Sequence, residues 1–279
     1  MSIFTWGIEM ELVHPNTVAA LKAVKFLSVG YPGTFEGKGR EEVPDEVICR
    51  TLPFMPPTLI AMVVVQRLTG MRPSEVFNMT VGDIDQTRDA ELWYYTPKSH
   101  KTKRFIGTKK IPLGKPEQEL IAPYLVGRKP EQAVFSPCTA IQERNAERRA
   151  NRKSKLTPSQ IARDKARATK PMKCSEFYGK HSYYRAIEYA IQKGNKILPE
   201  EEKIPHWYPY QIRHTAGTAT EKIGGLDKAQ ALLGHRTANV TRRYAHSQLA
   251  IAEELARNRV NPFDTEGDRA VGQSALGHE

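Results

Sequence analysis

Residues 231–248 read ALLGHRTANVTRRYAHSQ, which sets His235 nine residues ahead of Tyr244 and places Arg242 and Arg243 directly before the phenol. Most tyrosines are amphipathic surface residues. One that sits in so basic a stretch is also a candidate reactive group. Three more places carry basic or proton-bearing side chains. In TGMRPSEV, Arg72 follows a glycine turn at a helix start. In residues 97–115, around PKSHKTKRFIGTKK, there are seven Lys/Arg and no acid. In YPYQIRHTAGTAT, Arg213 lies inside a helix beside His214. Taken singly, each arginine reads as a surface or salt-bridged residue. An arginine that faces inward from a helix is costly unless it meets an anion, and then its planar fork is well suited to hold one.

Composition points to the same kind of partner. The chain has 279 residues, 39% hydrophobic and 26% charged, which is ordinary for a globular protein. Its balance of 42 Lys/Arg against 31 Asp/Glu, a net +11, is not ordinary and suits a polyanion such as nucleic acid. The longest apolar run, LIAMVVVQ at 59–66, is too short to cross a bilayer. The N-terminus lacks the basic region of a signal peptide. Cys49, Cys138 and Cys174 are far apart and odd in number, so neither a disulfide framework nor a zinc site is expected, and a reducing, cytoplasmic setting follows.

The elements that must position these residues can be read from periodicity and breakers. Residues 17–28 have helical spacing and end before the loop GYPGTFEGKG. A helix is expected to open at Pro44, a buried one to run from Pro57 to Leu68 and stop at Gly70, and another to start at Pro73. Between Glu91 and Leu113, β-branched and aromatic runs flank a Lys-rich middle, which predicts a hairpin or three-stranded antiparallel sheet. A helix is expected near Pro116, then at 182–193, 209–223, 226–233 and 249–258. Residues 141–173 are basic and free of aromatics, which predicts a solvated helix or mobile loop. The tail from 261 has little to bury. The fold class is mainly α with a small antiparallel sheet. The division expected is a short helical segment at 1–35, a main domain at 36–260 with a basic insertion at 141–175, and a disordered tail at 261–279.

The order Arg72, a hairpin lysine, Arg213–His214, Leu233–Gly234–His235 and then Tyr244 resembles the tyrosine recombinase, or phage-type integrase, family. TGMRPSEV, QIRHTAGT and LLGHRTANVTRRYAH are similar to its signature segments, and WYYTPKSHKTKRFIGTKKIPLG to the hairpin of a bacterial subgroup. The resemblance covers about residues 45–257. It implies the fold of that family's catalytic domain and a chemistry in which Tyr244 attacks a DNA phosphodiester, forms a 3′-phosphotyrosyl link and releases a 5′-hydroxyl. The link conserves the bond energy, so no nucleotide cofactor is implied, and no metal either. A phenol has a pKa of about 10, so nearby positive charge favours attack. Arg72 and Arg213 would neutralise the charge on the phosphate oxygens, and His235 would hydrogen-bond the same phosphate. A hairpin lysine would protonate the leaving oxygen. Lys98, Lys101 and Lys103 compete, and Lys101, eleven residues before Pro112, best fits the subgroup's pattern. The other two, with Arg104, Tyr210, His214 and Arg243, are expected substrate contacts. Glu75 is either a buttress of the site or a first-turn helix acid. His206 and Trp207 either pack or touch DNA. Partners implied are double-stranded DNA and three further copies of the chain, on paired DNA sites, with residues 247–260 docking either on a neighbour or on their own domain.

Two departures bear on activity. The family's motif begins with histidine three residues before the second arginine, and here that residue is Tyr210, a poor proton shuttle at neutral pH. About 35 residues precede the catalytic region, too few for the family's N-terminal DNA clamp. The expectation is therefore a catalytic domain without its clamp. The alternatives are a DNA-binding relic that does not exchange strands, and a nicking-closing enzyme of the type IB topoisomerase kind.

Overall fold

The computed structural model describes residues 3–24, 41–89, 91–98, 108–168, 174–234 and 245–263. The chain forms two bodies, 1–39 and 40–279. In the first, helices α1 (Ile3–Glu9) and α2 (Asn16–Ala23) flank a tight turn. The backbone N–H groups of Leu12 and Val13 both donate to the Gly7 carbonyl, at 2.8 and 3.2 Å.

The second body is built around α4 (Pro57–Thr69). Proline at its first position needs no N–H partner there, and Gly70, at φ +62°, ends it in the left-handed region. Its sequence is apolar almost all round, and Leu59, Met62, Val63 and Val65 are buried on several faces. Each such side chain is worth about 1.5–3 kcal/mol on burial. The helix α3 (Asp45–Thr51) precedes it, with Asp45 and Glu46 in its first turn. Asp45 holds the Arg67 fork of α4 at 2.6 and 2.7 Å.

After α4 comes the short α5 (Pro73–Phe77), then strands β1 (Ile84–Asp85), β2 (Trp93–Tyr95) and β3 (Ile111–Leu113). The sheet is antiparallel in the order β1-β2-β3, with Ile84 opposite Tyr95 and Tyr95 opposite Ile111. The predicted sheet between Glu91 and Leu113 therefore gains a strand upstream, whose two residues are too few to show alternation.

Helices α6 (Lys115–Ile121), α7 (Pro137–Ala150), α8 (Pro158–Ala168), α9 (Lys180–Asn195), α10 (Pro209–Leu233) and α11 (Ala245–Arg257) complete the body. α6, α7 and α10 pack on α4. Gln66 of α4 is fully buried yet satisfied: it accepts from the Tyr183 hydroxyl (2.9 Å) and donates to the Pro209 carbonyl (2.9 Å). The helices expected at 209–223 and 226–233 are one element broken at Gly225, whose φ of +80° and ψ of 178° suit only glycine.

The basic stretch 141–173, expected as a solvated helix or a mobile loop, is helical and largely exposed over α7 and α8. One expectation changes. Cys138 and Cys174 are bonded, with Cα atoms 5.6 Å apart. Their 36-residue separation conceals the pairing in the sequence, because the chain leaves the body at one and returns at the other. The segment from 249 packs on its own domain: α11 lies against α10 and β3, Ala252 and Ala256 are buried, and Tyr94 donates to Glu253 at 3.0 Å. No helix among the described residues is long and apolar enough to cross a membrane.

Candidate anion-binding and strand-transfer site

The site forms where α4 ends, α5 begins and α10 passes beneath them. The turn closed by Gly70 brings Arg72 to the N-cap position of α5. Glu75, three residues on, returns its carboxylate to the Arg72 backbone N–H (2.8 Å) and to the Arg72 guanidinium (3.2 Å). Glu75 is 1% exposed. Its backbone carbonyl accepts from the buried Tyr95 hydroxyl at 2.7 Å, which fixes α5 against the sheet. The first-turn acid and the buttress are thus the same residue.

A third cation enters from the sheet. Lys109 places its ammonium 3.0 and 2.9 Å from the two Glu75 carboxylate oxygens, with only 13% of its side chain exposed. It lies two residues ahead of β3 and turns inward, while Thr108 and Lys110 on either side of it are exposed. Its nearness to the buried strand is the signal the sequence offers. Counting Lys109 simply as one of seven basic residues hides it.

Arg213, on α10, is 3% exposed. Its guanidinium donates to the Gly70 carbonyl at 2.6 Å and to the Leu233 carbonyl at 2.7 Å. Both carbonyls end helices, where partial negative charge gathers. Gly234, with φ +61°, lies beside Lys109: a methyl group added there would come 3.4 Å from its Cε. The same cluster therefore reaches the point at which the chain departs toward His235 and Tyr244.

The charges do not cancel. Arg72, Lys109 and Arg213 surround one carboxylate. Burial pushes the Glu75 carboxyl up, but the Lys109 charge, the Arg72 N–H and the Arg72 guanidinium outweigh it and hold the group below its ordinary value. Burial, helped by the two guanidiniums, brings the Lys109 ammonium below its usual range despite Glu75. Burial and the Arg72 charge lower Arg213 to about 10, still cationic near neutral pH. An excess of positive charge held away from water is a site prepared for an anion.

The remaining expected residues distribute as follows. Tyr210 and His214 sit one turn apart on α10, with ring centres 5.3 Å apart, and the Tyr210 phenol acts electrostatically on Arg213. Lys98 turns elsewhere, to Thr80 (3.1 Å) and Asp83 (3.4 Å), with 67% of its side chain exposed. Trp207 is buried and donates to Thr51 at 3.0 Å, while His206 is exposed. Lys101, Lys103, Arg104, His235, Arg243 and Tyr244 lie outside the described residues. Among those described, no group of three or more His, Cys, Asp or Glu is arranged to hold a metal.

Comparison with curated proteins finds no match. Among solved structures, the chain is similar to a lambda integrase dimer bound to a COC′ core site, at 16% identity and TM-score 0.49, covering 94% of this chain and 58% of that one. It is also similar to the integrase from mycobacterium phage Brujita (16%, TM-score 0.46, 97% and 72%). A third is the XerH site-specific recombinase bound to palindromic difH substrate in a post-cleavage complex (12%, TM-score 0.43, 89% and 57%). The chain thus spans less than two thirds of the lambda integrase and XerH structures. The phage integrase family profile matches residues 54–250, a span that holds Arg72, Lys109, Arg213, His235 and Tyr244, and the chain belongs to that family.

Proposed function

We propose that the protein is a site-specific DNA recombinase that cuts and rejoins DNA through a phosphotyrosine. The observation that carries this reading is the cluster of Arg72, Lys109 and Arg213 around the single carboxylate of Glu75, next to the residue from which the chain runs to His235 and Tyr244. The Tyr244 oxygen attacks phosphorus and gives its proton to water. The bond from phosphorus to the 5′-oxygen breaks, and that oxygen takes a proton from a hairpin lysine. Arg72 and Arg213 bind the nonbridging oxygens as charge grows on them, with His235 donating to the same phosphate. Attack by a 5′-hydroxyl from a second duplex reverses the step and exchanges strands, which calls for paired sites and four copies of the chain.

A second reading, a DNA-binding relic, is favoured by Tyr210 standing where the family motif has histidine. One experiment separates the two. The protein is mixed with a duplex carrying attachment-site DNA and a nick beside the cleavage position, so that the 5′-hydroxyl fragment diffuses away. A denaturant-resistant protein–DNA band is expected, absent with Tyr244→Phe. Binding without any band supports the relic. Absence of both binding and band overturns the recombinase reading.

A further inference from the structure

The excursion between Cys138 and Cys174 is not used by the site above. It holds more than half of the protein's net charge: residues 139–168 carry nine Lys/Arg and three acids, and the whole chain is +11. One of those acids, Glu143, is already engaged, accepting from the Thr58 N–H (2.8 Å) and the Tyr124 hydroxyl (3.3 Å). The first half of α7 packs on the body through Ala140. From residue 146 to 166 nearly every residue is exposed. Among the described residues, no ion pair engages Arg148, Arg149, Lys153, Lys155, Arg163 or Lys165. A merely solvated helix usually alternates acids and bases four apart, which steadies it. Here like charges crowd together, and a covalent bond closes the root.

We propose that this excursion is a second DNA-backbone-binding arm, separate from the guanidinium cluster and held in its binding shape by the Cys138–Cys174 bond. It rests on the recombinase reading for the identity of the polyanion. Its root lies at the opposite end of α4 from the cluster: Glu143 meets the backbone of Thr58, whereas Arg213 meets Gly70. At 1.5 Å per residue these are about 18 Å apart, roughly five base pairs of DNA. The arm therefore grips flanking phosphates rather than the reacting one. Both cysteines are half-buried. Two equivalents of an external thiol open the bond by exchange, leaving two protein thiols and one disulfide of the reagent.

The test uses the full chain carrying Tyr244→Phe and a labelled 30-base-pair duplex of unrelated sequence, titrated at several salt concentrations. Each phosphate that the protein ceases to neutralise flattens the plot of log affinity against log salt by about 0.9. Replacing Arg148, Arg149, Arg152, Lys153 and Lys155 by Gln is expected to flatten it by about 3 and to weaken binding at 0.1 M salt by at least about tenfold. Arg163→Gln with Lys165→Gln, a smaller change on the other helix, is expected to act in the same direction. Cys138→Ser with Cys174→Ser, and the parent in excess dithiothreitol, are expected to bind severalfold more weakly, and the serine variant should not respond to thiol. A melting curve confirms that each variant folds. Binding with an unchanged slope in the glutamine variants overturns the arm alone. Equal affinity of bonded and opened protein overturns the clasp. Failure of the parent to bind DNA overturns the recombinase reading with them.

Discussion

On the recombinase reading, Lys109 and Lys101 compete to supply the leaving group's proton. Lys109 is favoured by its place against Glu75 and by burial, which brings its ammonium below its usual range, while the spacing to Pro112 points to Lys101. A DNA substrate with sulfur in place of the bridging 5′-oxygen distinguishes them, because a thiolate departs without a proton. Lys109→Ala is expected to slow cleavage of ordinary DNA by about 10²–10⁴-fold and to recover on the sulfur substrate. Recovery with Lys101→Ala instead assigns the acid to Lys101 and leaves Lys109 as a phosphate contact. Arg72 and Glu75 are legible in the sequence because Pro73 fixes where their helix begins, and Arg213 because it lies about one turn into the helix that Pro209 opens. Lys109 does not stand out there because its neighbours are equally basic, and only its inward turn ahead of β3 sets it apart.

At the level of elements, the far end of α11 and the residues just after it are held by polar clasps to the segment between β1 and β2 and to α6. Arg257 pairs with Asp89 (2.6 Å) and with Glu91, and Arg259 pairs with the buried Glu117 at 2.5 Å. The backbone of Gly114 lies against this helix so closely that an added Cβ would fall 2.0 Å from the Ala256 carbonyl oxygen. Gly114→Ala is therefore expected to cost about 1–3 kcal/mol and to loosen α11 selectively. Hydrogen exchange checks this: the amides of 251–257 should lose protection while those of α4 keep theirs. Uniform loss would show that α11 melts only with the whole body. The helices themselves are plain from sequence, since Pro57, Pro73, Pro209, Gly70 and Gly234 mark their ends. Strand β1 and the joining of two helices across Gly225 are not, because both depend on partners distant in the chain.

For the whole molecule, the charge is unevenly spread and the disulfide encloses its densest part. Closing a loop of this size removes freedom from the unfolded chain worth about 3–4 kcal/mol. Reduced protein is accordingly expected to melt at a lower temperature than bonded protein, and Cys138→Ser with Cys174→Ser should melt with the reduced form whether or not thiol is added. Coincident melts of bonded and reduced protein would mean that the arm unfolds independently of the body. The net charge of the sequence suits a polyanion, but it does not show that the positive charge gathers in two separate places, the cluster around Glu75 and the excursion between the cysteines.

Arg213 joins the ends of two helices that are far apart in sequence. Its guanidinium holds Gly70, just ahead of Arg72, and Leu233, just ahead of the stretch leading to His235 and Tyr244. Across the break at Gly225, a side chain from the first half of α10 thereby grips the last turn of the second. On the recombinase reading, recognition and delivery would share one anchor: a phosphate drawn to this guanidinium would pull on the same post from which the chain leads to Tyr244. Lysine, with one nitrogen, could keep the charge at this post but not the span.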